Sequence, residues 1–275
     1  MEEGTCRPRG IARRYSRYVQ RRTFLTLPIG ATLMQAQTPA ATQRSVIELR
    51  YFRLRNGRQV QRTTDYLQHG LVPACERAGI RPAGCFNAVI APDSPFILTL
   101  ASYPSLAAFD TAREKLAADK EFQAASDEFN SMTELSYMRM ESSLLWAFPS
   151  YPTVTPPPAG EKGASRIFEL RTYESPNDKA QARKIKMFGD GEIDIFHRSG
   201  MQTIFFGQTI VGARMPNLTY MLAFSDLAAR DKAWSAFSAD PDWQKLRATP
   251  GLSDADIVNN ISNAILKPLP FSPIR

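Results

Sequence analysis

Histidine is almost absent from this chain: His69 and His197 are the two in 275 residues. Metal centres and acid–base sites draw on histidine more than on any other side chain, so any such site here has little to draw on. Three cysteines are too few for a disulfide scaffold. Cys6 lies near the start, while Cys75 and Cys85 either pair in an oxidising compartment or stay as buried thiols. There is no Gly-rich phosphate loop, no Cys-x-x-Cys pair, no zinc-protease motif and no nucleophile elbow. No apolar run reaches the roughly 20 residues that a membrane-spanning helix needs.

Net charge is scarce too, once the chain is divided. The formal charge is +7, but residues 1–36 hold seven arginines against Glu2 and Glu3. The remainder carries 27 basic against 25 acidic side chains. The globular part therefore makes no electrostatic case for nucleic acid or for an anionic membrane.

The basic excess belongs to a leader, residues 1–40. Residues 4–47 contain no acidic side chain. Gln20-Arg21-Arg22-Thr23-Phe24-Leu25 precedes a mildly apolar run to Ala36, and Ala40 and Ala41 follow. A basic region, a short apolar stretch and small exit residues are the layout of a secretory signal. The arginine pair with Thr-Phe-Leu resembles a twin-arginine export signal. Such signals sit close to the initiator, which places the true start near Val19. The expected location is periplasmic or extracellular, with a mitochondrial presequence as the alternative.

What the sequence does have is a word used twice. Glu48-Leu49-Arg50 returns as Glu169-Leu170-Arg171, 121 residues later. The offset holds without a gap: Gly70 maps onto Gly191, Arg77 onto Arg198, Gly79 onto Gly200, Asp110 onto Asp231 and Phe122 onto Trp243. A duplicated module explains this. In the first copy, period-two alternation predicts a strand over 45–53, then a helix over 60–78 kinked or broken in two at Pro73 and ended by Gly79. Strands over 84–91 and 96–103 follow, then helices over 105–120 and 121–130, then a strand over 137–148. The second copy repeats this order. The pattern β-α-β-β-α-β predicts an α+β fold of two tandem ferredoxin-like (βαββαβ) modules, 45–148 and 166–270. Residues 149–165, with five prolines, read as a stiff linker.

Three strings carry a resemblance. Glu169-Leu170-Arg171-Thr172-Tyr173, Asn217-Leu218-Thr219-Tyr220-Met221, and the stretch from Asp226 through Trp234 and Phe237 to Asp240-Pro241-Asp242-Trp243 are similar to the NIPSNAP family. The resemblance covers both modules and is closer in the second. It implies a dimeric α+β barrel-type pseudo-dimer, two sheets facing each other with helices outside. The activity it implies is poorly defined.

On that arrangement one face of each first strand looks inward. Glu48, Arg50, Glu169 and Arg171 become the candidate ligand-binding residues of a barrel cavity, set against a purely structural ion-pair network. Asp190, Asp194 and His197 share a helical face, but a solvated outer face explains them better than a metal does. Trp234, Phe237 and Trp243 read as core packing. No metal or cofactor is assigned. The leading functional reading is an exported small-ligand-binding or protein-interaction module, a candidate homodimer. The second is a cofactor-free monooxygenase or isomerase acting on a small molecule in the cavity between the sheets, and the third is haem handling.

Overall fold

The computed structural model describes residues 43–81, 83–131, 134–158 and 166–275. The leader with its twin-arginine-like motif lies outside the described residues, as does most of the Gly-rich end of the linker. The first half contributes β1 (Val46–Arg53), α1 (Arg58–Tyr66), α2 (Val72–Ala78), β2 (Ala83–Ile90), β3 (Phe96–Tyr103), α3 (Leu106–Ala118), α4 (Lys120–Phe129) and β4 (Arg139–Ala147). The second half contributes β5 (Ile167–Glu174), α5 (Asp178–Met187), α6 (Ile193–Arg198), β6 (Gln202–Val211), β7 (Asn217–Phe224), α7 (Leu227–Ala239), α8 (Pro241–Arg247), α9 (Asp254–Ile257) and β8 (Asn260–Pro268).

The eight strands close into one antiparallel barrel in the order β1-β3-β2-β8-β5-β7-β6-β4. This corrects the expected fold class. Two ferredoxin-like modules, each with its own sheet and docked as a pseudo-dimer, are not what forms. β2 pairs with β8 through Phe86–Pro268 and Asn87–Lys267, and β4 pairs with β6 through Trp146–Gln208 and Ala147–Gly207. The physical reason lies at the edges. An open four-stranded sheet leaves two rows of unpaired N–H and C=O groups, and closure across the halves satisfies all four rows at once.

Strand alternation then sorts side chains into two layers. Ile47, Leu49, Phe86, Leu98, Phe168, Leu170, Met221 and Leu266 fill the barrel interior. Val46, Phe52, Cys85, Ile97 and Tyr103 face out onto the helices of the first half. Ile167, Tyr173, Phe206, Tyr220 and Leu222 do so in the second.

The repeat extends to local irregularities. The long helix expected over 60–78 is broken by a π-helical turn at Leu67–Leu71, and its counterpart is broken at Phe188–Glu192, the same 121-residue offset. Pro73 lies just after this break, so the helix is divided in two beside it. It sits in the first turn of α2, which continues directly from the π-helical turn. Gly79 closes α2 at φ 78° and Gly200 follows α6 at φ 84°, a left-handed conformation that glycine adopts without strain. Arg77 pairs with Asp119 at 2.7 Å and Arg198 with Asp240 at 2.7 Å, fixing the second helix of each half against the start of the fourth.

Candidate functional site

Glu48 and Arg50 lie on the outer, helix-facing side of β1, and Glu169 and Arg171 on the same side of β5. The sequence-based placement in the barrel interior is therefore corrected. The four charges do not meet in one cavity; each pair sits under its own helical layer. The cause is strand phase: Leu49 and Leu170 take the inward positions, which leaves the charged neighbours outward.

Beneath the second-half helices the pair is closed. Glu169 is wholly buried. It accepts hydrogen bonds from Arg171 Nη1 at 2.9 Å, Arg230 Nε and Nη2 at 2.9 and 2.7 Å, Trp234 Nε1 at 2.8 Å and Asn263 Nδ2 at 3.3 Å. Burial alone raises a carboxyl's pKa, but the bonds from Arg230 and Trp234 and the charge of Arg171 outweigh it, so Glu169 sits below the usual range. The Trp234 ring lies over the Arg171 guanidinium at 4.5 Å, and Arg171 Nη2 donates to Tyr173 Oη at 3.3 Å. Phe196, Phe206 and Tyr220 are fully buried and pack as one aromatic block, with ring centres 5.3–6.2 Å apart. Trp234 thus covers this ion pair from the helical side, bonding Glu169 and stacking on Arg171.

Beneath the first-half helices the same device is open. Glu48 accepts from Arg50 Nη2 at 2.5 Å, Tyr103 Oη at 3.0 Å and Ser142 Oγ at 3.0 Å. The aromatic block is missing. At the 121-residue offset Cys75 stands where Phe196 stands, Cys85 for Phe206, Thr99 for Tyr220, Ala101 for Leu222, Arg113 for Trp234 and Leu116 for Phe237. The space these truncations leave is a cavity of about 200 Å³ bounded by Glu48, Arg50, Val72, Cys75, Thr99, Tyr103, Arg113 and Phe122. A cavity of roughly 150 Å³ accommodates a benzene-sized molecule. Burial pushes the Cys75 thiol up to about 11 and the Cys85 thiol up to about 12. Burial, reinforced by the Glu48 charge, drives the Tyr103 phenol well above its ordinary value. These three groups stay protonated at neutral pH.

The barrel interior has a separate hollow of about 160 Å³ at the end where β1 and β5 finish. One side is aromatic and charged: Tyr51 and Phe96 meet edge-on at 5.2 Å, and Arg53 lies 4.8 Å from both rings while bonding Glu141. The other side is hydroxyl and amide, with Thr172 and Thr219 bonded to each other and Thr209 to Asn217.

The remaining sequence candidates take structural places. Asp190 pairs with Lys186, and His197 Nε2 shares a hydrogen bond with Thr203 Oγ1 at 2.8 Å. Among the described residues no group of three His, Cys, Asp or Glu side chains is placed to hold a metal. Cys75 and Cys85 are free and buried. Trp234 does more than pack, since its indole N–H holds Glu169. Arg230, Arg113 and Tyr103 were not singled out from sequence. Comparing the copies position by position for changes of size and charge, rather than for identities, is the signal that finds them.

No curated protein matches the chain. Its fold is similar to that of two provisionally assigned monooxygenases. The one from Fusobacterium nucleatum is 8% identical with a TM-score of 0.55, over 83% of this chain and 94% of that one. The one from Lactobacillus acidophilus is 10% identical with a TM-score of 0.51, over 81% and 93%. At such identities the likeness gives the fold alone. A NIPSNAP family protein of unknown function from Agrobacterium tumefaciens is 24% identical over 41% of this chain and 96% of its own, with a TM-score of 0.37. A family model described as NIPSNAP matches twice, over residues 47–151 and 168–273. Those two stretches make up most of the chain, and the protein belongs to the NIPSNAP family.

Proposed function

We propose that this protein binds a small organic molecule in the first-half cavity between barrel and helices. The observation that carries the reading is the asymmetry of the repeat: the same carboxylate–guanidinium pair is sealed by aromatics in one half and faces about 200 Å³ of space in the other. Packed interiors seldom tolerate such a void, because unfilled volume costs stability that a small-to-large change readily recovers. A cavity kept at the position of a polar anchor is the usual form of a ligand site.

Binding is favoured over turnover. Two fold neighbours carry a provisional monooxygenase assignment, which is the support for a cofactor-free oxygenase reading. Within the cavity, however, Cys75, Cys85 and Tyr103 all titrate far above neutrality, and Glu48 is held by three donors. The two thiols and the phenol therefore do not shuttle protons at neutral pH, and the carboxylate with its three donors is suited to orienting a ligand. Export completes the proposal and rests on the leader; N-terminal sequencing of the mature chain is expected to read from just after Ala36 or near Ala40.

Native mass spectrometry of the purified chain tests the binding reading. The parent is expected to retain a small organic adduct that Ala101→Leu and Thr99→Tyr, which restore second-half side chains, each reduce. Adducts of equal abundance in all three, or none in any, contradict it.

A further inference from the structure

We infer that the molecule held in this cavity is a small organic carboxylate, its head between Arg50 and Arg113 and its apolar body against Val72, Leu116 and Phe122. The inference rests on the cavity being a ligand site.

The charges that line the cavity decide its sign. They are Glu48, Arg50 and Arg113, two guanidinium groups against one carboxylate. Tyr103, Cys75 and Cys85 are neutral at physiological pH. Glu48 is committed to Arg50, Tyr103 and Ser142, so the excess is positive and lies on the arginines. Gln123 is committed to the Leu116 carbonyl.

Arg50 differs from its second-half counterpart Arg171 in the direction of availability, and Arg113 stands where the second half has Trp234. Arg171 uses both terminal nitrogens, one on Glu169 and one on Tyr173, and Trp234 covers its face. Arg50 uses only Nη2. The phenol is replaced by Phe52 and the indole by Arg113, so among the described residues Arg50 Nη1 makes no hydrogen bond and no aromatic ring stacks on its guanidinium. The buried Nε without a partner is common to Arg50 and Arg171 and says nothing about a ligand. Arg113 forms no ion pair among the described residues; its guanidinium lies 5.7 Å from the Phe109 ring. Phe109 in turn occupies the position of Arg230, the residue that neutralises Glu169 in the other half. The first half has thus moved its second arginine one helical turn, from the carboxylate to the cavity. Planar guanidinium forks with free N–H groups match a carboxylate better than any neutral head.

Calorimetric titration with benzoate and its neutral isostere benzamide tests this in the full chain. The parent is expected to bind benzoate at least about tenfold more tightly than benzamide, as one charge-assisted contact implies. Arg113→Gln should erase most of that preference and Arg113→Lys should keep part of it. Ala101→Leu should weaken both probes. Equal affinity for the two probes, with both lost in Ala101→Leu, overturns the carboxylate and leaves the cavity reading intact. Benzoate binding that Ala101→Leu and Arg113→Gln leave unchanged overturns the location. If benzoate does not bind the parent at millimolar concentration, the carboxylate inference falls, while the cavity reading is decided by the retained adduct in the native mass spectrum.

Discussion

At the scale of single residues, Glu169 is wholly buried and held by donors from four side chains. Removing its charge leaves Arg171 and Arg230 facing a neutral group in a buried site, and breaking such a network typically costs about 3–5 kcal/mol. Glu169→Gln is therefore expected to lower stability by about 3 kcal/mol at pH 7 in urea unfolding. The pH dependence has a definite sign. The folded-state pKa is depressed below the ordinary 4.5, so the stabilisation is full above that value and is lost as pH falls through the folded value. The gap between parent and variant should shrink from about pH 4.5 downward. Glu192, whose pKa burial raises, contributes the opposite slope in both proteins and cancels in the difference. The thiols give a second prediction. With pKa values near 11 and 12 and little exposure, Cys75 and Cys85 should resist iodoacetamide at pH 8 and react once the chain is unfolded. From sequence, the Glu–Arg pairs were legible as charges on one strand face because period two is robust. Which face points inward was not, since a strand with polar and apolar residues on both sides carries no sign of its own.

At the scale of elements, each half reuses one kit of parts with different fillings. In α5 and the π-helical turn that follows, Lys184 and Glu192 form a wholly buried ion pair at 3.0 Å, with Phe188, Tyr173 and Trp243 around the ammonium group. The first-half counterparts are Thr63 and Leu71, and Thr63 donates to the Ser136 carbonyl instead. The position of α5 matters because Gln181 and Lys184 project from it into the core. Its N-cap is Asn177, whose side chain accepts from the Ala180 N–H at 3.0 Å. Asn177→Ala should cost about 1 kcal/mol and Asn177→Asp almost nothing, read from the thermal midpoint. Strand and helix spans were largely legible, since alternation and caps are local signals. The π-helical turns were not: they shift the helical phase by a single residue, which apolar spacing cannot distinguish from an ordinary helix containing Gly70 or Gly191.

At the scale of the whole molecule, the duplication was visible and the way its copies join was not. Closure depends on β2 meeting β8 and β4 meeting β6, pairings between residues sixty or more positions apart that leave no mark in local periodicity. The asymmetry that matters for function was present in the sequence as Cys75, Cys85, Thr99, Ala101 and Arg113 against Phe196, Phe206, Tyr220, Leu222 and Trp234. It becomes interpretable only once the barrel shows that these positions surround one ion pair. The central claim is that one copy holds its carboxylate–guanidinium anchor shut with aromatics and the other holds it open for a ligand. Methyl NMR of the full chain during a benzoate titration tests it most directly. The account predicts shifts concentrated at Leu71, Val72 and Leu116, which line the cavity, with Leu49, Leu145 and Leu170, which line the hollow inside the barrel mouth, and Ile193 and Leu222 in the second half unmoved. Shifts centred on the barrel mouth or on the second half, or none at all, would contradict it.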